Sequence, residues 1–201
     1  SALTDAELEQ LRIRYWQHAH AGLGSELDGK QLIDKLPLNI IDLGFINRLF
    51  PNAKILVALR DPRDVCLSCF MQGFKPNPAM IHFYTLQDTA LFYARVMDLW
   101  LHYRAVLNLQ YLEYRYEDLI TDFESTTQRI FEFIGAEWDS GIYRYTELAG
   151  RRDIQTPSYQ DVATPLYSRS IGKWRNYARH FAPLAEILRP YVTAFGYSRQ
   201  A

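Results

Sequence analysis

A chain of 201 residues is one to two domains long and buries roughly 70% of its unfolded surface, enough for a core that needs no metal or disulfide. Hydrophobic residues at 48% and charged residues at 22% are ordinary globular values, which excludes disordered, collagen-like and coiled-coil chains. With 22 basic against 23 acidic residues the net charge is −1, which argues against nucleic-acid binding through a basic surface. No apolar run is long enough for a membrane span, and 2 cysteines make no disulfide scaffold.

In chain order, Thr4 and Glu7 fit a capping box, and Leu8, Leu11 and Tyr15 recur at helical spacing, which predicts a helix over residues 4–20. The glycines of residues 22–30 read as a surface loop. Gln31 to Lys35 is a short strand candidate stopped by Pro37. Apolar positions from Ile40 to Leu49 predict a helix ending at Phe50-Pro51-Asn52. The continuous run Lys54 to Leu59 reads as a strand buried on both faces of a parallel sheet. A helix begins at Pro62, a long one covers 85–107, a strand runs from Tyr111 to Tyr116, and helices follow over 122–134 and 183–194. Strands alternating with helices define an α/β domain with a mostly parallel sheet flanked by helices. Ligands of such sheets sit beyond the carboxyl ends of the strands.

The sequence Leu59-Arg60-Asp61-Pro62-Arg63-Asp64-Val65-Cys66-Leu67-Ser68 stands at such an end. Arg60 closes the strand, Asp61 can cap the helix, and Pro62 suits its first turn. A strand-end arginine, a helix-face hydroxyl at Ser68 and a positive helix end can together hold a phosphate dianion. The alternative is that Arg60 and Arg63 pair with Asp61 and Asp64. A second cationic stretch, Arg169, Lys173, Arg175 and Arg179 between Val162 and Ala185, contains no acid and suits a polyanionic nucleotide or a solvated helix face.

Phe50-Pro51-Asn52-Ala53-Lys54, the strand after it, Arg60-Asp61-Pro62-Arg63-Asp64 and Ser68 resemble the 3′-phosphate-binding segment of sulfotransferases, which use 3′-phosphoadenosine 5′-phosphosulfate (PAPS). Asp34-Lys35-Leu36-Pro37 is similar to that family's segment with a catalytic lysine or histidine before a proline. Tyr114-Arg115-Tyr116-Glu117-Asp118-Leu119 is similar to its Tyr-Glu-Asp-Leu element. Ser158, Thr164-Pro165 and Gly172-Lys173-Trp174 are similar to the C-terminal PAPS loop of the tyrosylprotein and tetratricopeptide-linked branch.

The resemblance implies a nucleotide-kinase-like P-loop fold and transfer of a sulfonate from PAPS to a hydroxyl acceptor: protein tyrosine, carbohydrate or lipid. It implies that Arg60 and Ser68 hold the 3′-phosphate, with Arg169 as a further cation. Tyr116 would lie near adenine, Lys173 would cover the nucleotide, and Lys35 with Ser158 would stabilise the transferring sulfonate; no metal is required. The family's Ser/Thr/Gly-rich phosphosulfate loop has no counterpart before residue 31, and the chain begins Ser1-Ala2-Leu3. The expectation is therefore one sulfotransferase domain over 1–201, lacking the N-terminal strand-loop-helix, with the general base outside this chain. A non-catalytic nucleotide-binding module is the competing class.

Gly24 to Gln31 approximates a Walker A loop but lacks the final Ser/Thr and carries Glu26 and Asp28, which would repel phosphates. Cys66 and Cys69 have redox spacing but fall inside a helix, and His18 and His20 point to different sides of one. Residues 73–87 are expected to form a mobile loop by the acceptor cleft. The absence of Asn-x-Ser/Thr and of paired cysteines leans toward a cytoplasmic protein.

Overall fold

Thr4 opens the first helix in the computed structural model, which describes residues 3–144 and 168–198. The Glu7 N–H donates to the Thr4 hydroxyl at 3.3 Å while the Thr4 N–H donates to the Glu7 carboxylate at 2.7 Å, the reciprocal bonds of a capping box. Helix α1 (Asp5–Leu23) is followed by 3-10 turns at Gly24–Leu27 and Pro37–Asp42 and by α2 (Leu43–Leu49). Strand β1 (Lys54–Leu59) leads into α3 (Pro62–Met71), a 3-10 turn at Met80–Phe83, α4 (Leu86–Val106) and β2 (Gln110–Arg115). Then come α5 (Tyr116–Thr121), α6 (Phe123–Ile134), 3-10 turns at Ser140–Arg144 and Lys173–Tyr177, α7 (Ala178–Phe181) and α8 (Ala185–Ala194). The fold is mixed α/β: β1 and β2 form a two-stranded parallel sheet with helices on its flanks.

Two expectations are corrected. The strand at Gln31–Lys35 does not form; residues 31–36 are irregular, and Ile33 is 73% exposed. A β-rich run becomes a strand only where a neighbour offers its backbone groups, and no described strand lies alongside. β1 is buried on one face, not two: Val57 and Leu59 point inward, whereas Leu56 and Ala58 are exposed. A continuous apolar run reports capacity for burial, and the pleat still sends alternate residues to opposite faces.

Contacts divide the chain into two compact units. The first comprises Ser1–Ile55 and Asp98–Gln110. Here Arg12 Nε donates to the Leu49 carbonyl at 2.6 Å, Tyr15 packs on Phe50 with ring centroids 5.0 Å apart, and Trp100 is fully buried. Gly44 lets Tyr103 pass close by, since a Cβ there would lie 3.2 Å from its ring, and the Tyr103 hydroxyl donates to the Ile41 carbonyl at 3.1 Å.

The second unit comprises Leu56–Met97 and Tyr111–Ala201. Its core joins Cys66 and Leu67 of α3, Ala90 of α4, Trp174, Phe181, Leu184 and Leu188. Leu188, Tyr191 and Val192 recur at helical spacing on α8 and face inward. In the expected loop 73–87, the Asn77 side chain accepts the Ala79 and Met80 N–H groups at 2.9 Å each, and Phe74 packs on Phe83 with centroids 5.4 Å apart. Among the described residues no helix is long and apolar enough to cross a membrane.

Leu188 tests this core. Leu188→Ala leaves a cavity beneath Trp174 and Phe181 and is expected to cost about 2–5 kcal/mol in urea unfolding; a loss below about 1 kcal/mol would mean that the cluster does not stabilise the unit.

Candidate functional site

The Arg60-Asp61-Pro62-Arg63-Asp64 segment turns from β1 into α3; Asp61 and Arg63 pair with each other, while Arg60 and Asp64 reach to the C-terminal part of the chain. Asp61 caps the helix: its Oδ1 accepts the Arg63 N–H at 2.9 Å. The same carboxylate receives Arg63 as a fork, Nε to Oδ1 at 2.9 Å and Nη2 to Oδ2 at 2.7 Å. Arg63 Nη2 also donates to the Ser198 carbonyl at 2.8 Å, and its guanidinium lies 3.8 Å from the Trp174 ring centroid. The positive end of α3 is thus already filled by the chain's own carboxylate.

Asp64, 1% exposed, turns the other way. Its Oδ2 accepts the Gly172 N–H at 2.6 Å and its Oδ1 the Trp174 N–H at 2.9 Å. Gly172 has φ of +69°, the left-handed region that favours glycine at this corner. Burial pushes the Asp64 carboxyl above the ordinary range; the Trp174 and Gly172 N–H donors and the Arg60 charge pull it down, and burial prevails.

Arg60 is treated differently from its neighbours. Its Nη2 donates to the Ser170 carbonyl at 2.5 Å, and its guanidinium sits 5.0 Å from the centroid of the Tyr116 ring. Its Nε is buried without a hydrogen-bond partner among the described residues. The ion-pair alternative therefore holds for Arg63 with Asp61, while Arg60 is held by a carbonyl and an aromatic face.

Glu117 completes the arrangement. Its Oε1 accepts the Asp61 N–H at 3.1 Å and its Oε2 accepts the Tyr197 hydroxyl at 2.7 Å. Burial, reinforced by the Glu117 carboxylate, drives the Tyr197 phenol far above its ordinary value. Arg115 binds Asp118 through two bonds of 3.1–3.2 Å, donates to the Gly196 carbonyl at 3.1 Å, and lies 5.0 Å from the Tyr197 ring centroid.

Among the residues singled out in the sequence, Arg60 and Tyr116 are brought together, and Ser170 ties Arg60 to the segment bearing exposed Arg169 and Lys173. Ser68 lies on the exposed side of α3, one turn beyond Asp64. Lys35 belongs to the first unit, in the exposed stretch before Pro37; its neighbour Asp34 accepts the Tyr15 hydroxyl at 3.1 Å and is reached by Asn39 Nδ2 at 3.4 Å. Ser158 lies outside the described residues. Burial pushes the Cys66 thiol up strongly and the Cys69 thiol to about 11, so both are protonated at neutral pH. Among the described residues no cluster of His, Cys, Asp or Glu is arranged to hold a metal ion.

Asp64 and Glu117 join the candidate site without a strong signal in the local sequence. Asp64 carried one local signal, an acid in the first turn of a helix, but its partners lie 108 and 110 residues away. Glu117 was read only as part of a pattern centred on Tyr116.

Residues 3–140 match the sequence profile of the sulfotransferase family, and the chain belongs to that family. The matched region holds Lys35, Arg60, Ser68 and Tyr116; Arg169 and Lys173 lie beyond it. The chain is also 28% identical over 193 residues to an uncharacterized protein of Aquifex aeolicus (strain VF5), covering 92% of this chain and 24% of that protein. It therefore spans about a quarter of that relative's length.

Because the folded state raises the Asp64 carboxyl, the folded protein holds this proton more readily than the unfolded chain. The group's contribution to stability is full below the ordinary aspartate value and is lost as pH rises through the raised one. A carboxyl-carbon NMR titration should find Asp64 titrating above the ordinary aspartate value, with the wild-type stability advantage over Asp64→Asn shrinking across the same window. An Asp64 midpoint at or below the ordinary value would show that the two amides outweigh burial.

Proposed function

We propose that this chain binds PAPS and transfers its sulfonate to a hydroxyl acceptor, within a nucleotide-kinase-like P-loop fold. The observation that carries the reading is Arg60. It sits just past the end of β1 and, among the described residues, its guanidinium is hydrogen-bonded to a carbonyl and set against a ring rather than paired with a carboxylate, and its Nε lacks a partner. An orphaned buried donor costs about 1–3 kcal/mol, a cost that an anionic oxygen would remove. Family membership supports a sulfonate-transferring chemistry for the site.

In this reading Arg60 takes the 3′-phosphate, with Ser68 as the hydroxyl donor and Arg169 as an added positive charge. Tyr116, whose ring already carries the Arg60 guanidinium, lies toward adenine. Lys173 covers the nucleotide from the C-terminal part of the chain, and Ser158 joins Lys35 in stabilising the transferring sulfonate. Lys35 offsets charge on the transferring group and the leaving phosphate oxygen, as cationic donors do in phosphoryl transfer. The acceptor oxygen forms a bond to sulfur as the bond from sulfur to the phosphate oxygen breaks. The acceptor proton passes to a general base, and adenosine 3′,5′-bisphosphate departs. No step calls for a metal. Peptidyl tyrosine and carbohydrate hydroxyls are the acceptors this reading favours, in a cytoplasmic setting.

Calorimetric titration separates this site from a generic nucleotide pocket. Adenosine 3′,5′-bisphosphate should bind and adenosine 5′-monophosphate should bind far more weakly, with the difference abolished in Arg60→Ala. Equal affinity for the two nucleotides would remove the 3′-phosphate assignment. In an active preparation assayed with PAPS and a hydroxyl acceptor, Lys35→Ala should cut turnover about a hundredfold or more. Unchanged turnover with intact nucleotide binding would favour a Lys35 outside the chemistry, and no turnover in the wild type would favour a binding module.

A further inference from the structure

A carboxylate buried as deeply as Asp64 is costly to keep, and a joint between α3 and the 170–174 segment could be made from apolar side chains or main-chain bonds alone. What a carboxylate does that an apolar side chain cannot is accept two amides at once. Those two amides belong to Gly172 and Trp174, the residues on either side of Lys173. Two further contacts hold the same stretch: Arg60 donates to the Ser170 carbonyl, and the Arg63 guanidinium packs on the Trp174 ring. Gly172 supplies the backbone corner that lets both amides face one side chain. The Lys173 side chain itself remains exposed.

Building on the nucleotide reading above, we propose that Asp64 is a positioning residue: it clamps the backbone on both sides of Lys173 so that the ammonium meets the nucleotide from a fixed base. A lysine has a long, rotamer-rich side chain, and much of its binding energy is lost if the backbone beneath it must also be ordered. Pre-ordering that backbone leaves only the side chain to be fixed. Asp64 touches no ligand in this scheme and acts through Lys173. The motif that presents Arg60 to an anion therefore also sets the second cation, and a change at Asp64 should be felt at Lys173.

The test is a double-mutant cycle with adenosine 3′,5′-bisphosphate, combined with amide exchange measured by NMR. In the ligand-free wild type the Gly172 and Trp174 amides should be protected; rapid exchange at both would overturn the clamp before any variant is made. Asp64→Asn keeps one acceptor oxygen and turns an NH2 group toward the other amide. It should speed exchange at both positions and weaken bisphosphate binding about tenfold or more. Lys173→Ala should weaken binding in the wild-type background and change it little in Asp64→Asn. Equal, additive losses in the two backgrounds would overturn the positioning role while leaving the nucleotide site standing. A wild type that does not bind the bisphosphate at all would overturn the nucleotide reading and this role with it. Asp64→Glu, which keeps the charge but moves the carboxylate by one methylene, should give the same non-additivity and serves if Asp64→Asn does not fold.

Discussion

Two backbone amides converge on one buried carboxylate, and the arrangement of the second unit depends on that junction. An ionised Asp64 without donors would cost several kcal/mol in this setting, so the two N–H groups are a condition of folding with the acid inside. They come from residues 108 and 110 positions further along the chain. Once they dock, Trp174 is delivered to the hydrophobic cluster, where Cys66, Leu67, Phe181 and Leu188 close around it. The polar clamp and the apolar core are therefore one construction. The clamp sets where the C-terminal segment lies, and the core makes that position favourable.

The other charges around β1 and β2 follow a consistent division. Asp61 is occupied by Arg63 and by the helix it caps, Asp118 by Arg115, and Glu117 by the Asp61 amide and the Tyr197 hydroxyl. Each acid is spent on an internal donor. All three arginines meet a carbonyl and an aromatic ring, but among the described residues Arg60 alone of them has no carboxylate hydrogen-bonded to it. Neither the carbonyl nor the ring neutralises its charge. With no carboxylate hydrogen-bonded to it, an arginine can take up an anion without displacing one, which is what the role proposed for Arg60 requires.

Much of this was legible from local pattern. Thr4 with Glu7, Pro62 after Asp61, and the periodic run before Val106 each placed a helix, because caps and amphipathic spacing are properties of neighbouring residues. Residues 31–35 misled for the opposite reason, since strand formation needs a partner that the segment itself does not contain. Burial of β1 on one face was likewise a property of what covers it, not of its composition. Arg60 was readable as a candidate site residue because a strand end in an α/β fold already says where a ligand would lie. Asp64 was not, because nothing near it in sequence announces two amides more than a hundred residues away.

The same reasoning bears on how far the site extends. The family match ends at residue 140, yet Ser170, Gly172, Trp174 and Ser198 are each bound by Arg60, Asp64 or Arg63, all within the matched region. The anchors for the C-terminal segment therefore lie in the part of the chain that carries the family pattern, and the segment answers them mainly with backbone groups. Backbone amides and carbonyls are supplied by almost any residue, so such docking constrains the sequence of the segment only lightly, with Gly172 and Trp174 as the exceptions that its geometry favours. A segment held in this way can diverge in sequence while keeping its place beside Arg60. Lys173 therefore belongs to the same compact unit as the strand-end arginine, although the family-profile match ends before it.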